Sequence, residues 1–311
     1  MQNKYDVIII GSGPAGLAAG LYTGRARLRT LILEKSKVGG QIVITSEVEN
    51  YPGGVEGDSG AALIDRMRAQ TEHFGAEIRR ESVTALKLSG ETKTVICGDT
   101  VYESRAVILA TGANPRPIGC PGERELTGKG VSYCATCDGA FFEDMDIYVV
   151  GGGDSAVEEA LYLTRFGRRV VLIHRRDALR AAKSIQEKAF ANPKIEFMWD
   201  SVVTRLSGEG ILSEMTVKNV KTGVESVIRA NEDDGTFGVF VFVGLVPNST
   251  LFGAEIPQQN GYILTDAEMQ TGIPGVYAAG DIRVKSLRQV ATAVSDGAIA
   301  AVQAERYLEG L

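Results

Sequence analysis

Short apolar runs broken by glycine-rich turns dominate the hydrophobic pattern of this chain, and one such pattern occurs twice. Residues 5–10 read Y-D-V-I-I-I and lead into Gly11-Ser12-Gly13-Pro14-Ala15-Gly16, then the small-residue stretch L-A-A-G-L-Y. Residues 146–150 read D-I-Y-V-V and lead into Gly151-Gly152-Gly153-Asp154-Ser155-Ala156, then V-E-E-A-L-Y-L. A compact apolar run closed by glycine predicts a buried strand, and the stretch after each turn predicts a helix. Each copy therefore reads strand, glycine turn, helix.

The glycine spacing has a physical reason. The first glycine permits a tight turn, the second lets the backbone approach a pyrophosphate, and the third small residue lets helix pack on strand. The start of the helix then offers unsatisfied N–H groups to the phosphates. In each copy a second apolar run follows, R-T-L-I-L up to Glu34 and R-V-V-L-I up to His174-Arg175-Arg176. Glu34 stands 23 residues beyond Gly11, and His174 stands 23 beyond Gly151. Two dinucleotide sites follow from this repeat.

The charges at the two strand ends assign the ligands. The Glu34 carboxylate can accept hydrogen bonds from ribose hydroxyls and would repel a 2′-phosphate, which suits FAD or NAD. Arg175 and Arg176, with Arg180 just beyond, present guanidinium forks that match phosphate oxygens, so the second site reads as one for NADPH. Within the turn itself Gly153, Asp154 and Ser155 would line that nucleotide, beside His174. A plain solvated helix start is the bland alternative for the arginines.

Two further runs favour a flavin in the first site. Residues 106–112 (A-V-I-L-A-T-G) predict a strand ending in the small turn Thr111-Gly112, and residues 275–281 (G-V-Y-A-A-G-D) predict another, ending at Gly280 and the lone acid Asp281. A helix is expected from about Ser286 to Leu308. Its first turn, Arg288-Gln289-Val290, would offer N–H groups and a positive dipole end to an electron-rich flavin edge; simple core packing is the alternative. Because residues 11–16 and Asp281 serve one site, the first domain is expected to be split into 1–112 and 245–311, with a second domain at 113–244 inserted. Proline-marked segments at 113–117 and 245–248 are the expected crossovers.

Composition narrows the setting. With 311 residues, 44% hydrophobic and 23% charged, the chain has room for two ordinary domains. Its net charge of −6 argues against nucleic acid as a main partner. No run approaches the roughly 18 apolar residues of a membrane span, and the N-terminal run is too short for a signal peptide, so a cytoplasmic location is expected. Four cysteines do not make a disulfide scaffold, which turns attention to the close pair Cys134 and Cys137 in C-A-T-C-D-G. Zinc binding would need two more ligands, but Cys97 and Cys120 are isolated and the two histidines, His73 and His174, lie near no second cluster. No metal is expected. Inert packed thiols remain open beside a redox disulfide, whose nearer thiolate a following helix start would stabilise. Asp138 is placed to carry the proton of thiol–disulfide exchange.

These motifs together resemble the low-molecular-weight, bacterial-type thioredoxin reductases, class II pyridine nucleotide-disulfide oxidoreductases, over essentially the whole chain. The residues that carry the resemblance are G-S-G-P-A-G, G-G-Q at 39–41, E-V-E-N-Y-P-G at 47–53, C-A-T-C-D-G, G-G-G-D-S-A-V-E-E, H-R-R-D with Arg180, and A-A-G-D at 278–281. The resemblance implies an α/β fold of two Rossmann-like domains, three-layer ββα, with the NADPH domain inserted into the FAD domain. It further implies Cys137 as the thiol next to the flavin, Cys134 as the one that attacks thioredoxin, and Asp138 as acid–base residue. Gly40, Gln41 and Asn50 would lie along the FAD, Val83 would offer a backbone contact to the adenine, and Arg288-Gln289-Val290 would sit at the isoalloxazine. The implied activity passes electrons from NADPH through FAD and the Cys134–Cys137 disulfide to thioredoxin in a homodimer, with the inserted domain rotating about its two linkers. Larger disulfide reductases keep their cysteines soon after the first loop and use a C-terminal histidine; this chain has neither. The alternatives are a ferredoxin-dependent flavin thioredoxin reductase, a reductase of a peroxiredoxin- or glutaredoxin-like partner, and a flavin-binding redox sensor.

Overall fold

The computed structural model describes residues 3–45, 48 and 50–310. The chain forms two compact units, Met1–Asn114 with Val246–Leu311, and Pro115–Leu245. In the first unit β1 (Lys4–Ile10), α1 (Pro14–Arg25) and β2 (Thr30–Glu34) follow one another, and α2 (Gly60–His73) returns the chain to β3 (Glu77–Arg80). A hairpin of β4 (Ala85–Lys87) and β5 (Lys93–Cys97) leads into β6 (Thr100–Leu109). The chain leaves through β7 (Ala113–Pro115).

The second unit opens with α3 (Glu123–Leu126), β8 (Val131–Ser132) and α4 (Ala135–Asp138). It then repeats the plan of the first with β9 (Asp146–Gly151), α5 (Asp154–Leu163), β10 (Arg169–Ile173), α6 (Lys183–Ala191) and β11 (Ile195–Met198). An antiparallel meander of β12 (Ser201–Ser207), β13 (Glu214–Asn219) and β14 (Glu225–Arg229) precedes β15 (Gly238–Phe242). Within β16 (Leu245–Pro247) the chain re-enters the first unit, which continues with a small hairpin, β17 (Gln258–Gln259) and β18 (Tyr262–Ile263), then β19 (Val276–Ala278) and α7 (Val290–Glu309). The exchange between units falls inside β7, after Asn114, and inside β16, after Leu245, within two residues of the expected 112/113 and 244/245.

Both units carry a parallel sheet in matching order, β3-β2-β1-β6 with β19 beyond β6, and β11-β10-β9-β15-β8. β6 accepts β5 antiparallel along its first half and β19 in parallel along its last residues, Val107–Leu109. Strand alternation splits each apolar run between two cores. In β1, Val7 and Ile9 pack with the alanines of α1 and α7, whereas Ile8 and Ile10 pack on the other face with Val95, Leu88 and Ile256. In β9, Ile147 and Val149 pack with Val157, Ala160 and Leu163 of α5, whereas Tyr148 and Val150 face Met215 and Val217 of the meander. Burying each such side chain stabilises by about 1.5–3 kcal/mol. Each unit is therefore three layers, helices on one face of a parallel sheet and β structure on the other, as the α/β expectation required.

Two expected elements differ. The strands expected at 106–112 and 275–281 end at Leu109 and Ala278, because glycine turns follow them directly. The last helix starts at Val290, four residues after Ser286. Gln289 is its N-cap, in a capping box with Thr292, and its φ of −147° holds it extended. Among the described residues no helix is long and apolar enough to cross a membrane, and no group of three or more His, Cys, Asp or Glu side chains is arranged to hold a metal.

Candidate functional site

The first glycine loop shows why each glycine stands where it does. A methyl at Gly11, whose φ is +103°, would lie 2.3 Å from the Ala110 carbonyl oxygen, and one at Gly16 would lie 1.9 Å from that of Gly11. At Gly13 the nearest atom would be the Gly39 oxygen, 3.9 Å away. The outer two glycines are packing requirements, and the middle one leaves bare backbone. No side chain caps α1, and Pro14 occupies its first turn, so the N–H groups of Ala15 and Gly16 remain for a ligand.

Glu34 does more than wait for a ribose. Its Oε2 accepts from the Ser12 N–H at 3.0 Å and the Ser12 hydroxyl at 2.8 Å, and its Oε1 accepts from the Ser36 N–H at 3.0 Å and hydroxyl at 3.3 Å. The carboxylate clasps the loop shut from both sides. A ligand hydroxyl would enter by replacing a serine hydroxyl, most readily that of Ser36, the longest of the four.

The other expected residues of this unit are tied to the loop before α1 or to one another. The Gly39 N–H donates to the Ser12 oxygen at 3.0 Å, and a methyl at Gly40 would lie 3.3 Å from the Gly13 Cα, so the 39–41 turn lies on the loop. Gln41 donates to Asn114 at 3.3 Å, and Asn50 donates to Gln289 at 3.2 Å. Thr111 donates to the Asn248 carbonyl at 2.9 Å, beside Gly112, whose φ is +65°. Gly280 has φ +80°, and a methyl there would lie 2.8 Å from the Ala15 Cβ, which brings the Gly280–Ile282 turn against the loop. Asp281 on that turn has a buried Oδ1 with no hydrogen-bond partner. Burial pushes its carboxyl above the ordinary range, while Lys285 and Arg288 pull it down. The Val83 side chain is buried in the core, which leaves only its backbone for a ligand. Arg288 and Gln289 precede α7 rather than forming its first turn. The Arg288 guanidinium lies over the Tyr262 ring at 4.0 Å and donates to the Arg283 carbonyl at 3.3 Å. Glu47 and Glu49 of the 47–53 motif lie outside the described residues. A bare glycine cradle at a helix start and an orphaned buried carboxylate oxygen fit a ligand with a diphosphate and free hydroxyls, as FAD has.

The second loop repeats the cradle with different neighbours. A methyl at Gly151 would lie 2.5 Å from both the Ala156 Cβ and the Phe242 oxygen, and Gly153 has nothing within 4 Å. Gly152, which the motif does not require, is needed because His174 packs on it: a methyl would lie 2.3 Å from the His174 Nδ1. Burial first, then Arg180, holds the imidazole below its ordinary 6.5, and its Nε2 is buried without a partner. The Arg180 N–H donates to the Gly152 oxygen at 2.7 Å, which draws this arginine to the loop. Asp154 is engaged by the Ala182 N–H at 2.7 Å and anchors the same turn, and Ser155 is exposed. Arg175, Arg176 and Arg180 are exposed, and among the described residues no hydrogen bond or ion pair engages their guanidiniums. Three unpaired cations beside an open glycine cradle fit a nucleotide with an additional phosphate.

The dithiol lies in the same unit. Cys134 and Cys137 form a disulfide with Cα atoms 5.4 Å apart. Cys134 is the N-cap of α4, and its sulfur accepts the Cys137 N–H at 3.1 Å. Ser132 brackets it, its hydroxyl accepting the Cys134 N–H at 3.0 Å and donating to the Cys134 oxygen at 3.2 Å. Asp138 is half-buried at the end of α4, one turn from Cys134. Burial pushes the thiols of Cys97 and Cys120 up to about 11, which leaves them protonated and inert at neutral pH.

Comparison with known proteins agrees with this arrangement. The family model for pyridine nucleotide-disulphide oxidoreductases matches residues 5–297. A thioredoxin reductase of Peptoclostridium acidaminophilum is 58% identical over 310 residues, 99% of this chain and 98% of that protein. The chain belongs to this family. The crystal structure of Lactococcus lactis thioredoxin reductase, 46% identical, covers 99% of this chain and all of its own, with a TM-score of 0.94. A ferredoxin-flavin thioredoxin reductase from Clostridium acetobutylicum is also similar, at 28% identity, 99% of either chain and a TM-score of 0.53.

Proposed function

We propose that this chain is an NADPH-dependent thioredoxin-disulfide reductase, with FAD held by Met1–Asn114 and Val246–Leu311 and NADPH held by Pro115–Leu245. The observation that carries the reading is the Cys134–Cys137 disulfide at the start of α4, in the unit whose second glycine loop is flanked by three unpaired arginines. Those arginines favour NADPH over ferredoxin as electron donor, because a protein donor needs no clamp for a 2′-phosphate.

Bound FAD would supply the redox relay between a nicotinamide donor and the disulfide. The chain's own residues do the rest. The bare backbone at Gly13 and the start of α1 bind the diphosphate, Glu34 and Asp281 orient hydroxyls, and Gly153 with Arg175, Arg176 and Arg180 takes the nucleotide phosphates. Once the disulfide is opened by two electrons, the Cys134 thiolate attacks one sulfur of the thioredoxin disulfide, and a mixed disulfide forms as the other sulfur leaves as thiolate. Asp138 delivers the proton to that leaving thiolate. Cys137 then attacks Cys134, re-forming the 134–137 bond and releasing the second thioredoxin sulfur, so that two thiols leave for one disulfide regained. A cytoplasmic setting and a homodimer belong to the same reading.

Anaerobic rapid mixing tests it. NADPH should bleach the flavin absorbance, and thioredoxin should restore it as its own disulfide is reduced. Cys134→Ser should still bleach and fail to reduce thioredoxin. Bleaching by reduced ferredoxin alone would overturn the donor, and bleaching without reduction of thioredoxin would overturn the acceptor.

A further inference from the structure

We infer that Asp296 is a positioning residue for the first site: by taking the charge of Lys285 it keeps the Asp281 carboxylate free for a cofactor hydroxyl. This rests on reading the Met1–Asn114 and Val246–Leu311 unit as the FAD unit.

Asp296 is the one acid in α7 before Glu305, on a helix face of alanines and glycine that packs against α1. It is 6% exposed, so its charge must be compensated from within. Oδ1 accepts from Arg283 at 2.7 Å, and Oδ2 accepts from Lys285 at 2.9 Å and from the Gly280 N–H at 3.0 Å. The two cations are themselves nearly closed off from water, with side chains 11% and 10% exposed. Two buried cations therefore share this pocket with two carboxylates, Asp296 and Asp281.

The distances show how the four groups are divided. Lys285 hydrogen-bonds Asp296 but stays 4.0 Å from the Asp281 Oδ1, the oxygen that is buried without a hydrogen-bond partner. Arg288, the other cation near Asp281, is held by the Tyr262 ring and by backbone carbonyls. Asp296 thus holds Lys285 at the edge of ion-pair range from Asp281, leaving one buried carboxylate oxygen without a hydrogen-bond partner at the glycine loop. Its bond to the Gly280 N–H also holds the turn that carries Asp281. A ligand hydroxyl can complete Asp281 without first breaking a charged hydrogen bond to lysine, and in a water-poor site that difference is large.

Without the Asp296 charge, Lys285 is left with Asp281 as its partner, and a movement of about an ångström would close their 4.0 Å ion pair to a hydrogen bond. FAD would then have to displace an ammonium group. FAD release from the full-length holoprotein, followed by flavin fluorescence after dilution, reads this directly. Asp296→Asn should release FAD at least about tenfold faster, the scale of one charge-assisted hydrogen bond. Adding Lys285→Met should return release to within about twofold of the unaltered protein, since no lysine remains to capture Asp281. If the double variant releases FAD as fast as Asp296→Asn, Asp296 only props the Gly280 turn and the inference fails. Should Asp296→Asn alone not fold, the double variant is compared with Lys285→Met, whose release should match it; a tenfold gap between them overturns the idea. Asp281→Asn separates the underlying reading from the inference. Unchanged FAD release in that variant would remove Asp281 from the cofactor site, whereas fast release there beside slow release from Asp296→Asn would sink the Asp296 role alone.

Discussion

The two glycine loops are built on one plan and finished differently. In each, a first glycine is forced by backbone contact and a later one, Gly13 or Gly153, is left bare toward open space. The first loop then demands a third glycine, because a methyl at Gly16 would strike the Gly11 carbonyl, while the second takes Ala156, whose methyl fills the corner against Gly151. At the second position of each loop they part further. Ser12 is held by the carboxylate at the end of β2, whereas Gly152 lies under an imidazole followed by unpaired arginines. The shared geometry suits a diphosphate, and under the proposed function the choice between nucleotides would be made one strand away by Glu34 or by the arginines.

That contrast can be broken at several places. The largest effect is expected from Gly16→Ala, which should cost about 3 kcal/mol or more through overpacking and lower the thermal midpoint by roughly 6–12 °C. Ala156→Gly, its mirror in the second unit, should cost only about 1 kcal/mol in calorimetry. Equal losses would show that the third position is equally tight in both loops.

Replacing Arg175 and Arg176 together by alanine should raise the KM for NADPH about a hundredfold, near tenfold for each charged hydrogen bond, with the KM for NADH unchanged. A parallel rise for NADH would mean that the arginines hold something other than the 2′-phosphate. Glu34→Gln keeps the shape and removes the charge that clasps Ser12 and Ser36, so FAD affinity should fall about tenfold while the NADPH KM stays put. If the NADPH KM moved as well, the two sites would not be separable.

The smallest effect concerns pH and belongs to the second loop. His174 has a folded pKa depressed below 6.5, so above 6.5 both folded and unfolded states are neutral and nothing is lost. As pH falls below 6.5 the unfolded chain takes up the proton first, and stability declines until the folded pKa is passed. A fall of a few degrees in the thermal midpoint between pH 7 and 5 is expected, flattened in His174→Asn. An identical slope in that variant would assign the pH dependence to other groups.

Much of this was legible in local pattern. Glycine spacing and apolar runs depend on neighbours along the chain, so the two β-α-β units, the Cys134–Cys137 pair and the charge difference between Glu34 and Arg175-Arg176 could all be read directly. The start of the last helix could not: small residues from Ser286 onward look helical, and only the capping of Gln289 by Thr292 set the first turn at Val290. The reason for a glycine at 152 lies in the packing of His174 on it, which no local pattern shows. Asp296 left one signal, an acid in the middle of a small apolar helix, without saying what it meets.

The sequence by itself determined which groups are present and how far apart they stand along each strand and turn, because periodicity and turn chemistry act over a few residues. The tertiary structure alone decided which of those groups are already engaged. Glu34 is occupied by two serines, Asp154 by a backbone N–H, and Arg288 by a tyrosine ring, while among the described residues the guanidiniums of Arg175, Arg176 and Arg180 and the Asp281 Oδ1 have no hydrogen-bond partners. Whether a polar group is free is settled by contacts between residues far apart in the chain, such as Asp296 with Lys285 and Gly280, and no local pattern encodes them.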